Sequence, residues 1–394
     1  MKLSCVLSAV VALSVPGSLR AEMESEALLR SFDAHSQGVS AVAVSPAGDY
    51  FASGGRDGKV RAWTAADYQQ TLEAAPSTQP VLGAAISKDG TVAAFADAAG
   101  TLSFYSTFKG ALLGQTTGLA GISFIDFSVD GRSLLVGVRS GELRSFSATD
   151  FRPGKPIRSD SKSPVTALRY AKDRLHFVTG HADGTLQYWS GSLGKVLKAF
   201  PAHGAPVLGI AFTPDGKYFC SAGRDGGLKF WSAEGELKKE ARGASAVSVA
   251  FPEKLNLAVL GGTDGALHVL RLPQGEAALT TAVGPGPVIA AFLPEDRLLV
   301  TGDGGGKVKV WRNPLVYRQY KVLLDLGDKA FAAGRYDMAV TKFGEAASLF
   351  AEPEVAEKMK LAREKKLSQQ QEQLKKMRDL QQQTRDRMRG SNPR

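Results

Sequence analysis

Short apolar segments alternate with glycine-containing turns along most of the chain, from about residue 26 to residue 311. Within a segment such as Val207–Phe212, large and small apolar residues alternate, which is typical of a strand that is covered on both faces. Each group of segments ends in the same way, with a two-residue turn whose second residue is glycine, then four residues, and then an aromatic or large apolar residue. The pattern predicts many short strands joined by tight turns.

The closing phrase occurs seven times at a nearly constant period. The large residue always lies six positions after the first turn residue, and successive large residues are 39 to 43 positions apart. The pairs are Asp57 and Trp63, Ala99 and Tyr105, Ser140 and Phe146, Asp183 and Trp189, Asp225 and Trp231, Asp264 and Leu270, and Gly305 and Trp311. A repeat of this length, with four short strands in each unit, predicts an all-β seven-bladed β-propeller.

Polar residues at fixed offsets make this repeat resemble the WD40 family over roughly residues 26–311. The resemblance implies a hydrogen-bonded tetrad in a blade: a His in the entering loop, a Ser or Thr on the second strand, an Asp in the turn and the closing Trp. Two blades match in full, and their tetrads are His35, Ser53, Asp57 and Trp63, and His203, Ser221, Asp225 and Trp231. A third keeps Thr179, Asp183 and Trp189 but has Ser161 at the His position, and the Trp-Asp dipeptide that names the family is absent.

A His, a Ser and an Asp in one blade could also be read as a catalytic triad. The set recurs in two blades at fixed offsets from a Trp, however, where each polar group would satisfy its neighbour. We therefore interpret both sets as structural tetrads and predict no catalytic residue. No metal-ligand spacing or phosphate-binding motif is present either, because the glycine run at 302–306 leads into a strand rather than a helix. The sequence thus predicts neither a metal nor a cofactor.

Both ends of the predicted propeller, residues 22–313, can be placed from the sequence. Residues 27–32 (ALLRSF) resemble residues 195–200 (KVLKAF), which should be the outer strand of the fourth blade. Residues 26–32 are therefore expected to form the outer strand of the last blade and so to close the ring.

The first 21 residues have the pattern of a secretory signal peptide. Lys2 precedes an apolar run over residues 3–15, and Pro16, Gly17 and Ala21 follow before Glu22. The run is about half the roughly 20 residues that a membrane span needs, so we predict a cleaved signal and no transmembrane segment after its removal. The expected location is the periplasm, the envelope or the extracellular space. The alternative is an uncleaved leader on a cytoplasmic protein.

The pattern becomes helical after Pro314. Residues 314–353 resemble one tetratricopeptide (TPR) repeat, through Leu326, Gly327, Gly334, Tyr336, Ala339, Phe343 and Ala346. The alternative is a plain helical hairpin. Such repeats usually need about three copies for stability, so this one must borrow a surface from the following helix or from the side of the propeller.

Residues 354–394 predict a charged, Gln-rich helical tail. Its heptad pattern is weak, because Gln381 lies where Leu367 and Leu374 predict an apolar residue. Self-association through a coiled coil and a basic contact with an anionic surface both stay open. Much of the net charge of +10 lies in this tail, so the mildly basic propeller gives little support for nucleic acid as a partner.

The WD40 resemblance also implies a partner-binding face, on the side of the entering loops. By spacing, we predict that it includes the residues before the turns, among them Arg56, Arg139 and Arg224, and apolar residues near the first strands, namely Leu82, Leu208, Val247 and Val288. Arginines in an apolar setting suit a protein or peptide partner with acidic groups. The chain is therefore expected to be a non-catalytic, exported interaction scaffold. The alternatives are an enzyme or small-ligand binder that uses the propeller channel, and a cytosolic or nuclear assembly factor.

Overall fold

A computed structural model describes residues 27–157, 161–171, 176–190, 194–212, 217–242, 246–252, 257–271, 276–296 and 298–390. These residues form two compact units, a β-unit that ends at Asn313 and a helical unit that begins at Pro314. The predicted signal peptide at 1–21 lies outside the described residues.

The β-unit consists of short antiparallel strands joined by tight turns. In chain order they are β1 (Leu28–Asp33), β2 (Val39–Val44), β3 (Tyr50–Gly55), β4 (Val60–Thr64), β5 (Gln70–Ala74), β6 (Val81–Ile86), β7 (Val92–Asp97), β8 (Leu102–Ser106), β9 (Leu112–Thr116), β10 (Ile122–Phe127), β11 (Ser133–Val138), β12 (Leu143–Ser147), β13 (Val165–Tyr170), β14 (His176–His181), β15 (Thr185–Ser190), β16 (Lys195–Pro201), β17 (Val207–Phe212), β18 (Tyr218–Gly223), β19 (Gly227–Ser232), β20 (Leu237–Arg242), β21 (Ala246–Ala250), β22 (Leu257–Gly262), β23 (Ala266–Arg271), β24 (Glu276–Ala282), β25 (Ile289–Phe292), β26 (Leu298–Gly302) and β27 (Lys307–Arg312).

The described strands form seven separate sheets, which confirms the predicted seven-bladed β-propeller. Blades 1 to 6 begin at β2, β6, β10, β13, β17 and β21, and each sheet takes consecutive strands in chain order. The first strand of every blade packs against the first strands of both neighbours, and the last blade returns to the first. The first strands are therefore the inner ring of the propeller, and the blades radiate from them.

Blade 7 is completed by the beginning of the chain. Its strand order is β1-β27-β26-β25, and β1 pairs antiparallel with β27 from Leu28 opposite Trp311 to Asp33 opposite Lys307. The outer strand that we placed at 26–32 thus spans Leu28–Asp33, and residue 26 lies outside the described residues. Because one sheet contains strands from both ends of the β-unit, the backbone pairing itself holds the ring closed.

The core of the β-unit lies between consecutive blades. The closing tryptophans lie in it, and Trp63, Trp189 and Trp231 each stack on the Phe of the neighbouring second strand at ring-centroid distances of 5.3, 5.3 and 6.2 Å. Around Trp63, the apolar cluster combines side chains of blades 1 and 7, and Phe32 of β1 contacts the indole at 5.3 Å. The closing position therefore has to be large and apolar because it fills the space between two sheets.

Blade 3 departs from the four-stranded unit that the repeat predicts. Its sheet contains β10, β11 and β12, and isolated bridges pair Leu143 with Ile157 and Phe146 with Pro153. Pro153 and Pro156 have no N–H group for a ladder, and Phe151 has a φ of 60°. These residues replace a regular fourth strand by an irregular segment, in which the Phe151 ring packs on Phe104 of blade 2 at 4.6 Å.

The helical unit consists of α1 (Pro314–Ala332), α2 (Tyr336–Leu349) and α3 (Pro353–Gly390). α1 and α2 approach so closely at Gly327 that a Cβ there would lie 2.5 Å from the Phe343 ring. α3 covers this hairpin with the buried Val355 and Ala362, and Lys358 pairs with Asp328 at 2.9 Å. The following helix thus supplies a surface to the hairpin, while its assignment as a TPR-like repeat stays a prediction.

Among the described residues, no helix has both the length and the apolar character that a membrane span requires.

Candidate partner-binding face

The entering loops and the turns after the second strands lie together at one end of the propeller. In blades 1, 3 and 5, a backbone hydrogen bond joins the turn to the entering loop. The N–H of Arg56 donates to the Gly38 carbonyl at 3.0 Å, that of Arg139 to the Gly121 carbonyl at 2.7 Å, and that of Arg224 to the Pro206 carbonyl at 2.9 Å. The donor always follows the acceptor by 18 residues. We call the surface formed by these loops and turns the loop face.

Arg56, Arg139 and Arg224 are exposed on the loop face, in blades 1, 3 and 5. Within the described part of the chain, no carboxylate forms an ion pair with any of the three. Their guanidinium groups are therefore available to a ligand, while the hydrogen-bonded backbone below them fixes where each side chain starts.

On the inner part of the loop face, the bulged residue of the first strand is a hydroxyl residue in some blades and an apolar residue in others. In blades 1, 3 and 4 it is Ser40, Ser123 or Thr166, and its hydroxyl lies 2.6 Å from a carbonyl of the next blade. In blades 2, 5 and 6 it is Leu82, Leu208 or Val247. Leu82 is 44% exposed and the other two are partly exposed. The hydroxyl groups connect blades, whereas the apolar side chains stay accessible.

Val288 is not part of this accessible set, because it is fully buried. The first strands of the other six blades each contain a register shift, for example between Val81 and Gly83, and the residue within the shift is the one that becomes accessible. In blade 7, β25 pairs in unbroken register from Ile289 to Phe292. Without the extra residue, Val288 takes the inward position that Val39 and Val81 occupy in blades 1 and 2.

The two full tetrads lie directly beneath the loop face. In blade 5, His203 contacts Asp225 through Nδ1 at 3.3 Å and Ser221 through Nε2 at 2.8 Å, and the Trp231 indole N–H donates to Ser221 at 2.9 Å. In blade 1, His35 contacts Asp57 at 3.0 Å and Ser53 at 2.8 Å, and Trp63 lies buried in the same blade.

Burial lowers the pKa of both tetrad histidines, and the carboxylate beside each ring opposes that shift. Burial also acts to raise the pKa of Asp57 and Asp225, but backbone N–H donors such as those of Ser36 and Gly204 hold both pKa values below the ordinary one. Each pair is therefore a neutral imidazole beside an ionised carboxylate. Both ring nitrogens are engaged inside the blade, and the buried rings are not presented to solvent.

Blade 4 has a tetrad whose histidine the sequence analysis did not identify. His181, at the end of β14, contacts Thr179 through Nε2 at 3.0 Å and the Ser163 carbonyl through Nδ1 at 3.0 Å. Trp189 donates to Thr179 at 2.9 Å, as Trp231 does to Ser221. A signal was present, because His181 stands where blades 1 and 5 have Gly55 and Gly223.

Other blades fill the corresponding space with other polar pairs. In blade 6, His268 of β23 contacts Asp264 at 2.9 Å. In blade 7, the buried Asp303 pairs with Lys309 at 3.3 Å, and Trp311 donates to Thr301 at 2.8 Å. The polar layer beneath the loop face is therefore present in blades that lack the tetrad sequence.

The inner ring contains a charged pair, between Asp126 of β10 and Arg169 of β13, at 3.3 Å. Burial raises the pKa of Asp126, and Arg169 opposes the shift. Arg169 also donates to the Ile210 carbonyl of blade 5 at 3.3 Å. Among the described residues, His, Cys, Asp and Glu do not form a cluster that could hold a metal ion.

Three segments match the family model described as WD domain, G-beta repeat, at residues 26–64, 154–190 and 194–232. They contain the second and third strands of blades 1, 4 and 5, the blades whose imidazole contacts a Ser or Thr on the second strand. A region of 207 residues is 26% identical to actin-interacting protein 1 of Drosophila melanogaster and covers 46% of this chain and 31% of that protein. A region of 146 residues is 25% identical to telomerase protein component 1 of Mus musculus and covers 37% of this chain and 6% of that protein. The chain thus matches less than a third of the length of these curated relatives.

Proposed function

Because the chain carries WD40 repeats on a seven-bladed β-propeller, we propose that it is a non-catalytic scaffold that binds a protein partner on the loop face. The observation that carries this proposal is the set of three exposed arginines in blades 1, 3 and 5, which form no ion pair with a carboxylate in the described part of the chain. Leu82, Leu208 and Val247 add accessible apolar surface on the same face. Arginine beside apolar surface is a frequent composition of interaction hot spots.

The partner that this chemistry favours is a protein or peptide segment with carboxylate groups. Arginine binds carboxylates through two parallel hydrogen bonds, and three such side chains around one face would select a ligand with several acidic residues. The name of the Drosophila relative states an interaction with actin, which is itself a protein. That name supports the class of partner, and nucleic acid is not favoured.

A channel-based enzyme or small-ligand binder is the alternative, and Asp126 with Arg169 is the observation that favours it. The two charges face each other, however, and Arg169 also binds a carbonyl of the next blade. A pair that is satisfied within the protein supports a link between blades 3, 4 and 5 better than a general acid or base.

We further propose that the chain is exported after removal of residues 1–21 and that the helical unit provides a second contact. The support for export is the sequence pattern of the leader alone. N-terminal sequencing of the native protein tests it: a first residue near Glu22 supports export, whereas an intact Met1 or Lys2 favours the cytoplasmic alternative.

The loop face is tested by reversing its charge. The triple variant Arg56→Glu, Arg139→Glu and Arg224→Glu should lose its native partners in affinity capture and keep the thermal stability of the wild type. A matched control, Arg152→Glu, Lys195→Glu and Lys239→Glu, makes the same charge change at exposed positions on the outer parts of blades 3, 4 and 5. Equal capture by both variants would contradict the proposal.

A further inference from the structure

The C-terminal half of α3 exposes large apolar side chains. Leu367, Leu374, Met377 and Leu380 are 57%, 51%, 56% and 65% exposed. The first part of the helix packs on the hairpin, and the last ion pair to it joins Lys366 to Asp337 at 2.5 Å. From Leu367 to Arg385 every residue is exposed. This segment, which we call the free stem, is roughly 28 Å long at about 1.5 Å per residue.

The apolar residues of the free stem lie along one side. With Leu367 at heptad position a, Leu374 is also at a and Met377 is at d. Leu380 at position g widens the stripe on one side. Gln370, Gln381 and Thr384 occupy the other a and d positions. The stripe can therefore bind an apolar surface, and its polar positions weaken pairing between identical helices.

Charge is distributed unequally around this stripe. Arg378 and Arg385 lie at two of the three e positions beside it, and the third is Gln371, whereas Glu372 and Asp379 lie at f, on the opposite side of the helix. Glu372 is already paired there with Lys376 at 2.7 Å. The border of the apolar stripe is thus cationic, and the acidic side chains of the free stem face away from it.

The positions of Arg378 and Arg385 determine which kind of helix can bind the stripe. In an antiparallel pair of two copies, e residues face e residues, so arginines would oppose each other. In a parallel pair, e faces g, and the arginines would meet Gln373 or Leu380. A helix with an apolar stripe bordered by carboxylates would instead contact Leu367, Leu374 and Met377 and pair with both arginines.

We propose that the free stem binds an acidic amphipathic helix of a partner protein. This inference rests on the proposed scaffold function, to which it adds the chemistry of the second partner. The apolar contacts supply most of the affinity, because an ion pair between exposed side chains contributes little. The two arginines then determine which helix is accepted.

The test uses the full chain and two synthetic heptad peptides, both with Leu at a and d, one with Glu and the other with Lys at e and g. The wild type should bind the Glu peptide at least roughly tenfold more tightly, because its border residues are cationic. Leu374→Asp should weaken that binding at least about tenfold without loss of helicity. Arg378→Glu with Arg385→Glu should reverse the preference between the peptides.

A matched control is Lys365→Glu with Lys375→Glu, which makes the same charge change at f and b, away from the stripe. This control should keep the preference for the Glu peptide. Equal binding of both peptides would overturn the proposal, as would a dimer of the chain alone that Leu374→Asp dissociates. Binding to phosphatidylserine vesicles with no binding of the Glu peptide would also overturn it, in favour of an anionic surface.

The loop-face variant separates this inference from the proposed function. Charge reversal of Arg56, Arg139 and Arg224 removes only binding at the loop face, so in that background Leu374→Asp should still weaken binding of the Glu peptide and Arg378→Glu with Arg385→Glu should still reverse the preference. Failure of the peptide test with intact partner capture by the loop face would therefore contradict the free-stem proposal alone.

Discussion

Blades 4 and 5 hold an imidazole ring in the same polar layer but take it from different places in the chain. In blade 5, His203 comes from the entering loop and reaches Ser221 on the second strand at 2.8 Å. In blade 4, His181 comes from the end of the second strand and reaches Thr179 at 3.0 Å. The indole of the closing Trp donates to the same hydroxyl in both blades, at 2.9 Å.

The direction of the hydrogen bonds is also the same in the two blades. The Ser163 carbonyl can only accept, so Nδ1 of His181 must donate and Nε2 must accept from Thr179. In blade 5 the ionised Asp225 fixes His203 in the same way. Blades 4 and 5 therefore both hold an imidazole with Nδ1 protonated in this space, and more than one position of the repeat can supply it.

The two solutions exclude each other sterically. A Cβ on Gly223 would lie 2.4 Å from Nδ1 of His203 and 2.4 Å from Asp225, so a loop histidine requires glycine at the end of the strand. Blade 1 repeats this arrangement, with Gly55 and His35. Blade 4 has a side chain at the glycine position and Ser161 in the loop, which is the complementary choice.

The strongest test converts blade 4 into the arrangement of blade 5. His181→Gly should lower the free energy of unfolding by about 3–4 kcal/mol, because it removes two buried hydrogen bonds, leaves a cavity and adds backbone entropy. Adding Ser161→His should recover at least about half of that loss, since Ser161 precedes Thr179 by 18 residues, as His203 precedes Ser221. Urea unfolding followed by tryptophan fluorescence measures both.

The single variant Ser161→His is the control for this conversion. It should destabilise the wild type, because His181 already occupies the space. Stabilisation by Ser161→His alone, or no recovery in the double variant, would show that the two positions do not supply the same ring.

The ring of seven blades could be predicted from the sequence because every blade needs a large closing residue. That residue lies six positions after the first turn residue in each blade. That residue fills the gap between two sheets, and a local turn sets its distance. The imidazole has no such fixed offset, because a loop, a strand end or, in blade 6, the third strand can each reach the same space. A search at the loop position alone therefore finds His35 and His203 and misses His181 and His268.

The loop face was predictable to a similar degree. Arg56, Arg139 and Arg224 follow from the turn, which has constant length in these blades, and the structure places all three on one exposed face. The exposure of Val288 depends on whether its first strand contains a bulge, and no residue type in the sequence indicates that bulge. The irregular segment in blade 3 had a visible signal in Pro153 and Pro156. The period continues across it, however, so the repeat alone still predicts four strands where the described residues of blade 3 form three.

A smaller effect is expected from Gly223→Ala, which tests the steric part of the comparison in blade 5. The new methyl group would press on His203 and Asp225, and we expect a loss of about 1–3 kcal/mol in the free energy of unfolding. The matched control is Gly204→Ala, whose Cβ would meet Asp225 only at 3.9 Å. In a His203→Ser background the cost of Gly223→Ala should shrink, and an unchanged cost would contradict the steric explanation.

The smallest expected effect is on the pH dependence of the free energy of unfolding. It distinguishes the tetrads by the group that accepts the hydrogen bond from Nδ1 of the histidine. Burial lowers the pKa of His35, His181 and His203 from the ordinary value of 6.5. The unfolded chain therefore takes up protons near pH 6.5, whereas the folded chain does so only at lower pH. The stability contributed by these neutral rings is complete above pH 6.5 and is lost as the pH falls below it.

Urea unfolding between about pH 7.5 and pH 5 measures this loss. His181→Asn and His203→Asn should each flatten the decline, because the variant side chain takes up no proton in the unfolded chain. The decline that remains should be steeper in His203→Asn, which retains His181, than in His181→Asn, which retains His203. Asp225 faces His203 at 3.3 Å and stabilises its protonated ring, whereas the Ser163 carbonyl beside His181 carries no full charge. A steeper decline with His203 retained would mean that burial, rather than the group at Nδ1, sets the difference between blades 4 and 5.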